Sequence, residues 1–137
     1  MLNENISKAK MLEFVNASKV TLFKVPNMLY FSNSSINENL DSVIYKIQNF
    51  FSDCSLAIRS SAADEDTQQN SIAGGYSSVL NVPLKNEEKI IEAFNRVLSS
   101  YEKKRPLFDD DEVIVQEMVT NTSMSGVLFT YDLNTGA

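Results

Sequence analysis

Leu56-Ala57-Ile58-Arg59-Ser60-Ser61-Ala62-Ala63-Asp64-Glu65-Asp66, continued by Ser71-Ile72-Ala73-Gly74-Gly75-Tyr76-Ser77-Ser78, is the stretch on which the fold turns. An apolar run ends on an arginine, small hydroxyl residues and an acidic turn follow, and a glycine-bearing loop leads into Val79-Leu80-Asn81-Val82. The order reads as strand, loop, strand, with an anion site between. Arg59 at a strand end presents a planar, permanently charged fork of donors, which suits phosphate better than a mobile lysine does. Ser60, Ser61, Ser71 and Ser78 add short hydroxyl donors. Gly74-Gly75 lets backbone amides approach an anion that a side chain would keep away. The plainer alternatives, part by part, are an arginine in a surface ion pair and a Gly-Gly turn. Neither G-x-x-x-x-G-K-S/T nor G-x-G-x-x-G occurs in the chain.

Working outward, Ser55 to Arg59 and Ser78 to Val82 read as strands, the second closed by Pro83. The connection from Ser60 to Ser77 is long for a structureless loop, and such loops are usually functional or mobile. Upstream, Ser35-Ile36-Asn37-Glu38 has the capping-box pattern, and Leu40, Val43, Ile44, Ile47, Phe50 and Phe51 follow at helical spacing. Val20 to Val25 and Met28 to Ser32 read as β segments either side of Pro26-Asn27. Ile6 to Phe14 reads as a short amphipathic helix capped by Asn5 or Ser7. Lys8 lies in its first turn, where a cation opposes the helix dipole; it is either solvated, the plainer reading, or aimed at an anion that shares the helix N-terminus.

Downstream, Ile90, Phe94, Val97, Leu98 and Tyr101 mark a second amphipathic helix that begins at Asn86 and stops at Pro106. Glu87 and Glu88 in its first turn, and Lys103, Lys104 and Arg105 near its end, suit the helix dipole. Asp109-Asp110-Asp111-Glu112 reads as a solvated acidic linker rather than a metal site, because consecutive side chains on an extended turn point apart. Glu112 to Val119 and Ser125 to Thr130 read as a hairpin turning through Asn121, Thr122 and Ser123.

At 137 residues, with 43% hydrophobic and 22% charged residues, the chain has the composition of a single folded domain. Twelve basic residues against eighteen acidic give a net charge of -6, which argues against a nucleic-acid partner. No apolar run is long enough to cross a bilayer, and Met1-Leu2-Asn3-Glu4-Asn5 has no signal-peptide organisation, so a cytoplasmic protein without a membrane partner is expected. The single Cys54 agrees with a reducing compartment and reads as a small buried hydrophobe. The absence of histidine excludes Ser-His and Cys-His catalysis, and imidazole metal sites, within these residues.

The block Ala57 to Asp66, with Ser71-Ile72-Ala73-Gly74-Gly75, resembles the "RSSA-x-x-ED … S-F-A-G" block of the N-terminal nucleotide-binding domain of phosphoenolpyruvate synthase and pyruvate phosphate dikinase. Val113-Ile114-Val115-Gln116-Glu117-Met118-Val119 resembles that family's "V-x-V-Q-x-M-V", and Ser125 to Gly136 its "S-G-V-x-F-T-x-D-P-x-T-G". The blocks stand in the family's order and spacing over nearly the whole chain.

This resemblance implies an α+β fold, an ATP-grasp-like partial domain with a mixed or antiparallel sheet flanked by about three helices. It implies ATP as ligand, with Mg2+ accompanying it and the protein's metal ligands beyond residue 137. Arg59 would hold the phosphates and act catalytically on them, Gly74, Gly75 and Ser78 would lie in the loop covering them, and Gln116 with the backbone of Glu117, Met118 and Val119 would meet the adenine. Lys8 stands where the family has a phosphate-binding lysine in "G-G-K-x-x-x-L", although this chain has Ile6-Ser7-Lys8-Ala9-Lys10-Met11-Leu12 there.

The activity implied is a dikinase-type phosphotransfer: ATP phosphorylates a histidine on another domain, which passes the group to an acceptor, leaving AMP and phosphate. Pyruvate is the default acceptor; related enzymes use L-glutamine or rifamycin antibiotics. Residues 1–137 would be the N-terminal part of the ATP-binding domain, with 1–105 and 106–137 as a further subdivision, inactive alone, the acceptor bound by absent domains. A non-catalytic nucleotide-binding module is one alternative. A structural fragment that self-associates through an exposed sheet edge is another.

Overall fold

The computed structural model describes residues 6–18, 24–62 and 76–126. Within them the elements run α1 (Lys8–Ala17), β1 (Met28–Ser32), α2 (Asn33–Glu38), α3 (Leu40–Phe50), β2 (Ser55–Ser61), β3 (Ser78–Pro83), α4 (Glu87–Glu102) and β4 (Glu112–Glu117). The class is α+β, as expected, with four helices among the described residues instead of about three. The strands form one sheet in the order β1-β4-β2-β3, and every neighbouring pair is antiparallel. Residues on both sides of Pro106 therefore share one sheet.

Val113, Ile114 and Val115 of the inner strand β4 are at most 1% exposed, which accounts for an unbroken apolar run where an edge strand would alternate. One face of the sheet, through Leu56, Ile58, Val113 and Val115, joins Val43, Ile44 and Ile47 of α3 and Ile90, Phe94, Val97 and Tyr101 of α4 in a single core. The opposite face carries Ala57, Arg59 and Ser61 of β2, level with Gln116, Ile114 and Glu112 of β4. Alternation of side chains along each strand produces this division. In β3 the alternation is reset by a bulge opposite Leu56 to Ile58, where Asn81 takes a left-handed φ of 57°. The extra residue turns both Val79 and Val82 to the core, while Leu80 is left 56% exposed on the other side.

Helix α1 lies over this second face. The Ala9 N–H donates to Ser61 Oγ at 2.8 Å, and the Tyr30 hydroxyl donates to Glu13 Oε2 at 3.1 Å. Burial, then the hydrogen bond and charge of Glu13, then the charge of Glu112, push the Tyr30 phenol above its ordinary value. Ser7 caps α1, one of the two caps expected.

Three expectations change. The capping box at Ser35 does not start the long helix: Ser32 caps the short α2, and Asn39, with φ -155° and ψ 78°, ends it and caps α3 through Ser42 N–H. Ser32 closes β1 and so meets the first free amides before Ser35 does, and Ser35 Oγ is bonded to Ser32 Oγ at 2.8 Å. The acidic run is solvated only at Asp109 and Asp110. Asp111 is 6% exposed and holds Arg105 through two bonds of 2.8 and 2.6 Å, while Glu112, 9% exposed, begins the central strand. Among the described residues Glu112 Oε2 is buried with no hydrogen-bond partner. Lys24 and Val25 are outside any strand, as are Ser125 and Gly126 of the strand expected over Ser125 to Thr130; Val20 to Phe23, residues 63–75 of the expected loop and residues 127–130 lie outside the described residues.

Candidate functional site

The second sheet face opens into a groove of about 350 Å³ lined by Pro26, Ala57, Arg59, Ser78, Leu80, Gln116, Glu117, Met118 and Val119. Arg59, Ser78, Gln116, Glu117, Met118 and Val119, all singled out in the sequence, line this one groove. Strand pairing brings them together: Arg59 is opposite Ser78 on one side and Ile114 on the other, and Ala57 is opposite Gln116. Arg59 and Ser78 thus form one end. Met118, whose N–H donates to Ser55 O at 2.9 Å, and Val119 form the other. Arg59 lies four steps along β2 from Ser55, about 13 Å at the usual strand rise.

The two ends differ chemically. At the first, Arg59 is half-buried, and among the described residues no carboxylate forms a salt bridge with its guanidinium. Ser78 beside it is exposed. The other end is apolar, with Pro26, Leu80, Met118 and a Val119 that is 62% exposed. Gln116 is 7% exposed and forms part of the floor between them. A cationic end joined to an apolar end is what a ligand with an anionic tail and a flat, weakly polar head requires.

Glu117 belongs to the wall and not to the reactive chemistry. The Asn27 N–H donates to its Oε1 at 3.1 Å, Asn27 Nδ2 donates to Oε2 at 3.3 Å, and the Glu117 N–H donates back to Asn27 O at 3.0 Å. This three-bond clasp ties the segment before β1 to the end of β4. A second cavity of about 680 Å³ shares Pro26, Glu117, Met118 and Val119 with the groove and continues past Lys24, Asp53, Cys54, Ser55, Asn81 and Thr120. Burial, then the carboxylates of Glu117 and Asp53, raise the Cys54 thiol pKa, so it is less readily ionised than an ordinary thiol.

Lys8 does not line the groove. Its neighbour Ala9 is bonded to Ser61, which lies on β2 two residues beyond Arg59 and on the same face, so α1 begins beside the cationic end. Gly74 and Gly75 lie outside the described residues. Asn27 and Leu80 were not singled out in the sequence; a turn residue after proline and an apolar residue in an edge strand carry no signal that separates them from structural positions. No helix of the described residues is long and apolar enough to cross a membrane.

The comparisons with known proteins meet this geometry from another side. The chain is similar to an uncharacterized phosphotransferase, YvkC, of Bacillus subtilis (strain 168), with 33% identity over 109 residues, covering 71% of this chain and 12% of that relative. The chain thus spans about an eighth of the curated relative it matches. No solved structure matches it. The model of the pyruvate phosphate dikinase AMP/ATP-binding domain matches residues 29–137, which include β2 to β4, all of β1 but Met28, and every residue of the groove except Pro26. The α+β architecture is consistent with an ATP-grasp-like partial domain, and with more than half its length matched, the chain belongs to the family of the pyruvate phosphate dikinase AMP/ATP-binding domain.

Proposed function

We propose that the groove on the second sheet face binds ATP, and that the chain is the N-terminal part of the ATP-binding domain of a dikinase-type phosphotransferase. The observation that carries this reading is the meeting of Arg59, Ser78, Gln116, Glu117, Met118 and Val119 in one groove with a cationic and an apolar end. Arg59 holds the phosphates and, as the fixed cation beside them, offsets charge that builds on the transferring group, the usual protein contribution to phosphoryl transfer. The Ser78 hydroxyl supplies a neutral donor next to it. The adenine lies toward Met118 and Val119. Since the Glu117 and Met118 amides already serve the carbonyls of Asn27 and Ser55, the Val119 amide is the donor available to the base edge.

Lys8 at the start of α1 joins the phosphates from the side, and the family resemblance gives Gly74 and Gly75, which lie outside the described residues, the role of covering them. Mg2+ would accompany ATP, with protein ligands that the family resemblance puts beyond residue 137. Bound Mg2+ supplies further charge neutralisation at the phosphates. The sequence contains no histidine, so a phosphohistidine carrier would have to lie outside these residues, and the family resemblance puts the acceptor site on other domains as well. Pyruvate is the acceptor the family's description favours, with L-glutamine or a rifamycin antibiotic as alternatives, and the chain by itself is expected not to turn over.

Titration calorimetry with Mg-ATP tests the reading. The wild-type chain should bind in the micromolar range, Arg59→Ala should weaken binding by about tenfold or more, and Arg59→Lys should fall between, because lysine keeps the charge without the fork. Equal affinity of all three would show that Arg59 is not at the phosphates, and no heat from the wild type would leave the structural-module alternative.

A further inference from the structure

We propose that Tyr101 is a positioning residue for the cationic end of the groove, holding the strand that carries Arg59 and the chain that delivers Ser78 in fixed relation; this rests on reading the groove as a nucleotide site. Tyr101 is in the last two turns of α4, on the face of the sheet away from the groove, and is 0% exposed. Its hydroxyl donates to Glu112 O at 2.8 Å and accepts from the Ser61 N–H at 2.7 Å. Ser61 and Glu112 are the last registered pair of the β2–β4 ladder. A phenol therefore enters the ladder where it ends, two residues from Arg59.

The same end of α4 holds the other approach. The Tyr101 ring lies 4.7 Å from that of Tyr76, and Lys104 Nζ stands 4.6 Å over the Tyr76 ring. The Ser77 N–H donates to Ser100 Oγ at 3.0 Å, and Ser100 Oγ donates to Val97 O at 2.6 Å. Ser78, next in the chain, is the residue opposite Arg59. One helix end thus grips both chain segments that lead to the Arg59 and Ser78 rung. Residue packing alone does not require the hydroxyl, since phenylalanine would fill the same apolar space; the oxygen is placed to serve an amide and a carbonyl that otherwise lose a partner. A cation holds a phosphate well only if its own backbone is fixed to a fraction of an ångström, which is the task this contact performs.

The test compares Tyr101→Phe and Ser100→Ala with the wild-type chain, using ATP with magnesium chloride and, separately, adenosine. A positioning role predicts that Tyr101→Phe weakens ATP by about tenfold while adenosine changes by less than about twofold, because only the phosphate end is disturbed. Ser100→Ala, which keeps the ladder contact, should show a smaller loss with the same selectivity. Amide exchange at Ser61 and Ser77 should quicken in the respective variants while Ile58 and Val115 stay protected. ATP affinity unchanged in Tyr101→Phe, or ATP and adenosine weakened in equal proportion, overturns the inference while leaving the nucleotide reading intact. A wild-type chain that binds neither ligand overturns both.

Discussion

Cys54 shows how a single side chain reports on this site. It lines the cavity that shares Pro26, Glu117, Met118 and Val119 with the groove, and burial, Glu117 and Asp53 all favour its protonated form. The raised value means the folded chain binds the thiol proton more tightly than the unfolded chain. This contribution to stability is complete below the ordinary thiol pKa and is lost as pH rises through the raised one. The thiolate is the reactive species, so iodoacetamide should modify Cys54 slowly at neutral pH, with the rate rising to a midpoint above that of an ordinary thiol. Asp53→Asn removes one of the two carboxylates and should move that midpoint down, with a left-handed φ of 29° at position 53 that asparagine tolerates. ATP bound at the Met118 and Val119 end should slow alkylation further. An ordinary midpoint in the wild type would show that the thiol stands free of both carboxylates.

At the scale of elements, the turn between α4 and β4 depends on one ion pair. Asp111, 6% exposed, takes both ends of the Arg105 fork and also accepts from the Phe108 N–H at 2.8 Å; its own backbone accepts from the Asn33 N–H at 2.7 Å. Arg105 further stacks over Phe108 at 4.8 Å. Asp111→Ala removes the carboxylate from a guanidinium whose side chain is 18% exposed and should cost about 3 kcal/mol, read from urea midpoints; adding Arg105→Met should recover part of it. A loss below about 0.5 kcal/mol would mean the pair behaves as a surface contact. This pair also explains what the sequence conceals. Helices α3 and α4 and strands β2 and β3 were legible because apolar spacing, Asn86 and Pro83 act locally. The partner of Asp111 was not, since four successive acids look alike until Arg105 selects one. Tyr101 likewise reads only as core, because helical spacing does not disclose what its hydroxyl meets. That Arg59 and Ser78 share a rung followed from reading strand, loop and strand around them, and Gln116 to Val119 drew notice through a family block, while Asn27 was invisible because its bonds to Glu117 exist only once β4 lies beside it.

Across the whole molecule, stability and the candidate site are distributed unequally. Ile58, Val113 and Val115 are 0% exposed at the centre of the sheet, whereas α1 has one buried residue, Ala9, and is tied to the sheet by its Ser61 contact and by the Glu13 bond to Tyr30. Amides of the central strands should therefore exchange only through global unfolding, and those of α1 through local opening several kcal/mol less costly. The order β1-β4-β2-β3 makes this a long-range property, since the last strand lies between the first two and no local pattern announces it. The inequality gives a way to decide whether Lys8 joins the phosphates. A ligand that contacts both Arg59 and Lys8 closes α1 onto the sheet and raises its opening energy in step with saturation. Saturating Mg-ATP should then increase protection across Lys10 to Glu13 as well as at Ser61. Lys8→Ala should abolish the increase in α1 while leaving the one at Ser61. Protection confined to the groove residues in both chains would exclude Lys8 from the phosphates and leave phosphate binding to Arg59 and the residues around it.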